Sequence, residues 1–418
     1  MLLRRTLIVL ALALLVGGST IVGVLVADWP FWRRVIAVVQ LPDSGEWPES
    51  IYQPVARIDG TPRGFFPVAQ RDALSIDPAA LDAAADWAGQ NESVALLVLH
   101  RGVVQLERYW QGMTADQLFS GRAMSRSLLG LAYGFAVAEG RIVLDDPVET
   151  HLQEWRGESR GRITVRQLMQ NVSGLEEVSL DVVNAPPDAA GPVRAWYLLK
   201  SFLGKNSRLS LSADFGAVAL SFDLAHAPGT RFAFSNANSQ LLGVILERAT
   251  GEPFERYLEQ RLWRPVAGAA GELYMDRAGG MPAVYCCFRA TPRDFLRIGA
   301  LLADDGRAAG VQVLPKGWVQ ALRTTSSVNP LYGLQLWSGN PRAGTREYAT
   351  GSGRGVPHGE PYVTDDILWM EGGGGRTIWA IPSEELVIVR LGRASPTWDA
   401  AVLPNTLLRG LRTTAAPN

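Results

Sequence analysis

The sequence predicts an α+β fold, in which an antiparallel sheet is flanked by terminal helices and a mostly helical lobe is inserted in the middle. The first observation is the order of predicted elements: strands, a long helical stretch, strands again and a final helix. The second is that no period of about 20–50 residues repeats, which excludes solenoids and propellers. The third is a composition typical of globular proteins, 47% hydrophobic and 19% charged over 418 residues.

A hairpin opens the predicted sheet. Order is expected to begin near Asp77, with a helix that reaches about Ala88. Two runs follow, Val94–His100 and Val103–Trp110, separated by a turn that ends in Gly102. Short apolar runs around a glycine turn predict two paired antiparallel strands.

Three helices are predicted from their caps and apolar stripes. Ser127–Glu139 carries apolar residues at helical spacing and is stopped by Gly140. Thr164 has the side chain of a helix N-cap. Thr291 has the same role before Pro292, which favours the first position of a helix.

A second hairpin and a helix close the chain. Thr377–Ile381 and Leu386–Leu391 flank a four-residue turn, so they predict another pair of strands. A helix is expected over about Pro404–Arg412.

These elements divide the chain into regions. The domain is predicted at residues 81–413, with sheet parts at about 81–118 and 275–413 and the helical lobe at about 119–274. Residues 28–80 are interpreted as a connecting extension, because most of this stretch is rich in proline, glycine and aspartate and lacks sustained periodicity.

The N-terminal segment has the pattern of a membrane anchor or an export signal. Met1–Arg5 carries two arginines, and Thr6–Ala27 is uncharged for 22 residues. Such a helix would be about 33 Å long, enough for a hydrocarbon core of about 30 Å. We therefore predict an uncleaved membrane anchor at residues 1–27, with a cleaved signal or a buried helix as alternatives. Anchor and signal both place the body in the periplasm or elsewhere outside the cytoplasm, and the anchor makes the membrane a partner.

Composition excludes several classes of function. A net charge of −1 and the lack of a basic run between aromatics argue against nucleic-acid binding. The four histidines lie far apart, so neither a metal site nor a cofactor is predicted. Cys286 and Cys287 are adjacent, which rules out a disulfide scaffold, and we interpret them as packed core, with a reactive or metal-binding pair as the alternative.

Five segments carry a family resemblance: Gly121–Gly140, Arg166–Glu176, Pro228–Gly243, Ala290–Gly299 and Glu371–Arg376. In this order they resemble the serine β-lactamase and penicillin-binding protein family. The likeness is greatest to its class C-like branch, which includes carboxylesterases, D-aminopeptidases and 6-aminohexanoate oligomer hydrolases. The resemblance extends over roughly residues 80–412 and implies the β-lactamase/transpeptidase-like fold.

The same resemblance implies that catalytic groups are missing. The family uses S-x-x-K at a helix start, a Y-x-N motif and a glycine-bearing strand that supplies an oxyanion-hole N–H. Here Ala123 takes the serine position, Arg126 the lysine position and Phe234 the tyrosine position, while Asn236 and Gly372-x-Gly374 are kept. A methyl group cannot attack a carbonyl, a guanidinium cannot act as a base at neutral pH, and phenylalanine has no hydroxyl.

No other residue replaces these groups by pattern. None of the chain's three lysines follows a serine by three positions, so S-x-x-K is absent from the sequence. Ser120, Ser125 and Ser127 flank the serine position and are the possible substitutes. Their positions along the helix favour structural roles.

Several site residues leave two interpretations open. Arg126 is either a buried cation paired with a carboxylate or a docking group for an anionic ligand. Asn236 completes a local hydrogen bond or contacts a ligand. The glycines at 372–375 indicate close backbone approach rather than a phosphate cradle, since no following helix is predicted. Arg126, Asn236, Gly372, Gly374 and Arg376 are the candidate ligand-binding residues.

We therefore expect a membrane-tethered, extracytoplasmic relative of the β-lactamases that lacks serine-hydrolase catalysis and acts by binding. The candidate ligand carries a carboxylate, as a peptide end or a cell-wall stem does. The alternatives are an active amidase or esterase with an unrecognised nucleophile, and a scaffold whose cleft has closed.

Overall fold

The computed structural model describes residues 23, 28–39, 49–176 and 204–412. Among these residues no helix is both long and apolar enough to cross a membrane, which contradicts the predicted transmembrane helix. The segment that carried this prediction, residues 1–27, lies outside the described residues except for residue 23.

A six-stranded antiparallel sheet joins both ends of the domain, as predicted. Its strands are β2 Ser93–His100, β3 Val103–Tyr109, β9 Trp337–Ser338, β12 Leu368–Gly372, β13 Arg376–Ile381 and β14 Leu386–Gly392. Their order in the sheet is β3-β2-β14-β13-β12-β9, so the N-terminal hairpin pairs with the C-terminal hairpin through β2 and β14.

Smaller sheets surround the main one. A four-stranded sheet has the order β1-β5-β6-β4, and two hairpins, β7–β8 and β10–β11, stand apart. Their strands are β1 Val55–Ile58, β4 Phe119–Ser120, β5 Gly271–Tyr274, β6 Arg289–Ala290, β7 Arg307–Ala308, β8 Val311–Gln312, β10 Gly344–Glu347 and β11 Gly355–His358.

The helices cover the main sheet and build the middle lobe. They are α1 Trp29–Val39, α2 Pro78–Gln90, α3 Ser125–Ala138, α4 Val165–Met169, α5 Lys205–Leu211, α6 Phe215–Leu220, α7 Asn236–Thr250, α8 Phe254–Leu258, α9 Arg264–Val266, α10 Pro292–Ala303, α11 Trp318–Leu322 and α12 Val402–Arg409.

The helix starts predicted from the capping residues Thr164 and Thr291 are confirmed. Thr291 accepts a hydrogen bond from the Asp294 amide, and Asp77, near which order was expected to begin, caps α2 in the same way. Thr164 forms a complete capping box with Gln167. These local interactions satisfy amides that a helix start leaves without partners.

The main sheet packs against helices on both faces. Leu81 of α2 and Leu407 of α12 belong to one buried cluster with residues of β14. On the opposite face α10 approaches closely, because a Cβ at Gly299 would lie 2.8 Å from the Ile378 side chain. This second face leads into the helical lobe, whose core is continuous with it.

Part of the predicted connecting extension packs on the domain. β1 pairs with β5 over four residues. In α1 the Arg34 side chain is only 1% exposed and donates hydrogen bonds to five backbone carbonyls, those of Gln53, Leu211, Ser212, Met275 and Asp276. The guanidinium therefore fastens α1 to β5 and the end of α5.

The Glu247 carboxyl on α7 gives a testable pH dependence. Burial raises its pKa to about 7, and the nearby carboxylates Glu255 and Asp276 act in the same direction. A raised carboxyl pKa means that the folded state binds more protons than the unfolded chain between the ordinary value of 4.5 and about 7. Stability should therefore fall as pH rises through this window.

We expect Glu247→Gln to flatten this slope, with a difference on the order of 2 kcal/mol in the free energy of unfolding between about pH 5 and about pH 8. Urea unfolding at a series of pH values measures it. Glu154→Gln is the control, because Arg248 lowers the pKa of Glu154 to about 2 and its titration lies below this range. A variant with the slope of the wild-type protein would contradict the assignment.

Candidate active-site remnant at the start of helix α3

The predicted site forms where three elements meet. The 3₁₀ turn Arg122–Met124 leads into α3, and the Arg122 carbonyl accepts a hydrogen bond from the Cys287 amide at 2.9 Å. The last residue of β12, Gly372, lies against the same turn, because a Cβ there would overlap the Gly121 carbonyl oxygen. The start of α7 completes the site through contacts with Arg126.

Ala123 lies half-buried in this turn and presents only a methyl group. Two residues on, the Ser125 hydroxyl donates to the Arg122 carbonyl at 2.9 Å and accepts from the Phe288 amide at 2.9 Å. Because both hydrogen bonds hold the helix start against β6, Ser125 has a structural role and is not positioned as a free nucleophile.

The two other flanking serines are engaged as well. The Ser120 hydroxyl accepts a hydrogen bond from the Arg122 amide at 3.2 Å. Ser127 is buried and donates to the Gln335 carbonyl at 2.8 Å. These contacts agree with the structural interpretation of both serines.

The Arg126 side chain is buried and bonded to neutral oxygens. It is 2% exposed; Nη1 donates to the Ser235 carbonyl at 2.6 Å and to the Ser239 hydroxyl at 3.1 Å, and Nη2 donates to Asn236 Oδ1. No carboxylate of the described residues forms an ion pair with it, so the predicted carboxylate partner is not found there. Arg126 instead links α3 to the start of α7.

The charge of Arg126 persists despite its burial. Desolvation lowers the pKa of the guanidinium to about 10, while the hydroxyls of Tyr332, Tyr285 and Tyr348 act in the opposite direction. A pKa near this value leaves the group protonated at neutral pH. Arg126 therefore cannot take a proton from a nucleophile under physiological conditions.

The Phe234 ring covers one face of the Arg126 guanidinium. The Arg126 guanidinium carbon lies 3.9 Å from the centroid of the phenyl ring, which is a cation–π contact. Tyr348 stacks on the same phenyl ring with centroids 5.6 Å apart, and Tyr332 meets it edge to face. Arginine and phenylalanine at these two positions thus form one packed unit, which lysine and tyrosine would not form in the same way.

Asn236 begins α7 and faces the same cation. Its side-chain oxygen accepts from Arg126, while the neighbouring Ser235 caps the helix by accepting from the Asn238 amide at 3.4 Å. Of the two interpretations of Asn236, the local hydrogen bond is the one present in this structure.

The glycine turn after β12 is held through its carbonyls. Arg376 is 2% exposed and donates to the Gly373 carbonyl at 2.5 Å, and Arg390 donates to the Gly374 carbonyl at 2.5 Å. Gly374 has a φ of +81°, which favours glycine. Close backbone approach is confirmed at Gly372, whereas Arg376 lies beneath the turn and stacks on Phe119.

Sequence patterns missed a polar group beside the site. The Tyr348 hydroxyl donates to Glu371 at 2.8 Å, and Glu371 forms a buried ion pair with Arg346. Glu371 directly precedes Gly372 and is the first residue of the segment Glu371–Arg376, so the sequence located it without indicating its partners. Tyr348 lies in the β10–β11 loop, where no sequence signal indicated contact with Phe234.

The two cysteines are joined to each other. Cys286 and Cys287 form a disulfide between adjacent residues, and as interpreted they pack in the core: Cys287 lies in the main buried cluster and Cys286 packs against it. Cys287 is buried, and its amide bonds to Arg122 at the edge of the site. The disulfide-bonded pair is therefore in direct contact with the 3₁₀ turn that leads into α3.

An antiparallel sheet with helices on both faces, and a helix start held against the glycine end of an inner strand, is the architecture of serine β-lactamases and penicillin-binding proteins. The chain belongs to the beta-lactamase family, whose model matches residues 79–409. The resemblance drawn from the motifs is thereby confirmed.

Relatives and solved structures agree with this assignment. The chain is 28% identical over 304 residues to a 6-aminohexanoate-dimer hydrolase of Paenarthrobacter ureafaciens, covering 71% of each chain. A candidate 6-aminohexanoate-dimer hydrolase of Bacillus anthracis superposes with a TM-score of 0.63 at 17% identity, over 87% of this chain and 89% of that one. A penicillin-binding protein homologue of Caulobacter crescentus has a TM-score of 0.52 at 14% identity, over 80% and 99%. The likeness to both structures confirms the β-lactamase/transpeptidase-like fold.

Proposed function

We propose that this β-lactamase-family protein does not hydrolyse through an acyl-serine and acts by non-covalent binding. The observation that carries the proposal is the packing of Arg126 on Phe234, with both Nη atoms bonded to neutral oxygens. A serine, a neutral lysine and a tyrosine hydroxyl form the proton path of the family mechanism. Here the corresponding positions hold a methyl group, a permanent cation and a phenyl ring.

The loss is large in energetic terms. Removing a catalytic nucleophile alone costs on the order of 10⁶ in turnover in a serine protease series. The flanking hydroxyls of Ser120, Ser125 and Ser127 contribute to local hydrogen bonds at the start of α3. The hydrogen-bond partners of all three hydroxyls are backbone groups rather than side-chain bases, which argues against a substitute nucleophile among them.

The electrostatics favour an anionic ligand. Arg126 carries a positive charge that no described carboxylate pairs with, and an uncompensated buried cation stabilises a negative group nearby. The guanidinium is too buried for direct contact in this conformation, so its effect would act through the half-exposed surface around Ala123. The positive potential at this surface favours a ligand with a carboxylate, such as a peptide end or a cell-wall stem.

Covalent labelling tests the proposal. We expect neither a fluorescent penicillin nor a fluorophosphonate to label the purified full chain, because no nucleophile is activated at the start of α3. An active serine hydrolase, labelled in parallel, shows that the probes work. Stoichiometric labelling would overturn the proposal in favour of an active amidase or esterase. Repeating it on Ser120→Ala and Ser125→Ala would then show which hydroxyl reacts.

A further inference from the structure

A groove of about 540 Å³ shares no lining residue with the remnant site at Ala123, Arg126, Phe234, Asn236 and Gly372. One side of the groove is lined by residues 63–67 of a segment at 61–69, here called the strap, and the rest mainly by residues of the main sheet and of α10. The apolar lining consists mainly of Phe65, Phe66, Leu99, Ala300, Leu301 and Val387. This volume is in the range of small-molecule sites, roughly 300–1,000 Å³.

The groove exists because the strap is fixed at both ends. At one end Arg63 donates to the carbonyls of Pro265 at 2.5 Å and Arg264 at 2.9 Å. At the other end the Val104 amide donates to the Pro67 carbonyl at 2.8 Å. Between these anchors α10 presents the small side chains of Ala300 and Ala303, which leave the space open.

Arginines line this apolar space. Arg101 faces Glu385 at 3.8 Å, and Arg297 is paired with Asp294 at 2.7 Å. Arg63 and Arg307, in contrast, have no carboxylate within ion-pair distance among the described residues. Their guanidinium groups donate only to backbone carbonyls.

Asp304 also lines the groove and forms no ion pair with the described residues. The other carboxylate of the lining, Glu385, is already matched by Arg101, so Asp304 alone stands against the two unpaired arginines and the groove keeps an excess of positive charge. An apolar channel with exposed cations is complementary to a molecule with a hydrocarbon chain and an anionic head.

We propose that this groove binds a free monocarboxylate with an unbranched hydrocarbon chain. The chain would lie along Leu99, Ala300 and Val387, and the carboxylate would meet Arg63 and Arg307. The site is independent of the proposed loss of hydrolysis, because it shares no residue with the remnant at the start of α3.

Titration calorimetry on the full chain, with three probes of equal chain length, tests the proposal. Decanoate should bind with about one molecule per chain and raise the melting temperature, because a ligand of the folded state stabilises it. Decanol and decyltrimethylammonium should bind at least about tenfold more weakly, since they lack the negative head. All probes are used below their micelle-forming concentrations.

Two kinds of variant test the positive charge and the apolar channel of the groove separately. Arg307→Gln and Arg307→Glu should weaken decanoate binding, the second about tenfold or more, while Arg156→Glu, an exposed arginine outside the groove, should not. Ala303→Phe should abolish binding by filling the channel while the protein stays folded. The proposal is overturned if decanoate does not bind, if the cationic probe binds equally well, or if the charge variants bind like the wild type.

Discussion

Replacing Gly372 with alanine should destabilise the protein by about 3 kcal/mol or more, because the added methyl group has no space. A Cβ at this position would overlap the Gly121 carbonyl oxygen and lie 3.1 Å from the Arg122 Cβ. These are atoms of the 3₁₀ turn that leads into α3, so either the turn or the end of β12 must shift. Gly121 and Gly372 are both buried, and an overlap with backbone cannot be relieved by a side-chain rotation.

Gly373→Ala is the matched control for this prediction. It is the next residue in the chain, its added Cβ would meet no atom within 4 Å, and it is exposed. Its free energy of unfolding should stay within about 0.5 kcal/mol of the wild type. Urea unfolding of the three proteins measures the difference. Equal stability of the two variants would show that β12 does not press on the 3₁₀ turn.

Much of the fold could be predicted because its signals are local. Thr164 and Thr291 mark helix starts through side chains that bond to amides of the same turn. Gly102 lies in the turn between two paired strands and has a φ of +73°, which glycine readily adopts. Such features depend on a few neighbouring residues, so sequence alone reveals them.

The remnant site was predicted only in part, because its contacts join distant segments. The motif spacing located Ala123, Arg126 and Phe234 and the loss of their chemistry. It could not show that Arg126 would bond to neutral oxygens rather than a carboxylate, since this depends on how α7 packs against α3. The stacking of Tyr348 on Phe234 likewise follows from the position of a loop more than 100 residues away in sequence.

Restoring the family residues at three positions should create covalent labelling where the wild-type protein shows none. The combined change is Ala123→Ser, Arg126→Lys and Phe234→Tyr. Serine adds the attacking oxygen at the half-exposed start of α3. A lysine in the buried environment of Arg126 has a lowered pKa, so that part of it is neutral and can accept the serine proton. The tyrosine returns a hydroxyl beside this lysine.

The surroundings for such chemistry are largely in place. Asn236 remains at the start of α7, and Gly372 still lies against the turn that carries residue 123. Lysine is smaller than the arginine it replaces, and Tyr348 stacks on the face of the Phe234 ring that tyrosine would keep. We therefore expect fluorescent penicillin to label the triple variant at about one molecule per chain, by formation of an acyl-serine.

The double variant Arg126→Lys with Phe234→Tyr, which keeps Ala123, is the matched control and should stay unlabelled. Ala123→Ser alone should label far more slowly than the triple variant, since its hydroxyl lacks a base and activation by a neighbouring base is what makes a serine nucleophilic. Circular dichroism and melting temperature establish that each variant is folded. A folded triple variant that remains unlabelled would mean that residues 123, 126 and 234 do not lie in a cleft that the penicillin can enter. Labelling of the double variant would place the nucleophile at a residue other than 123.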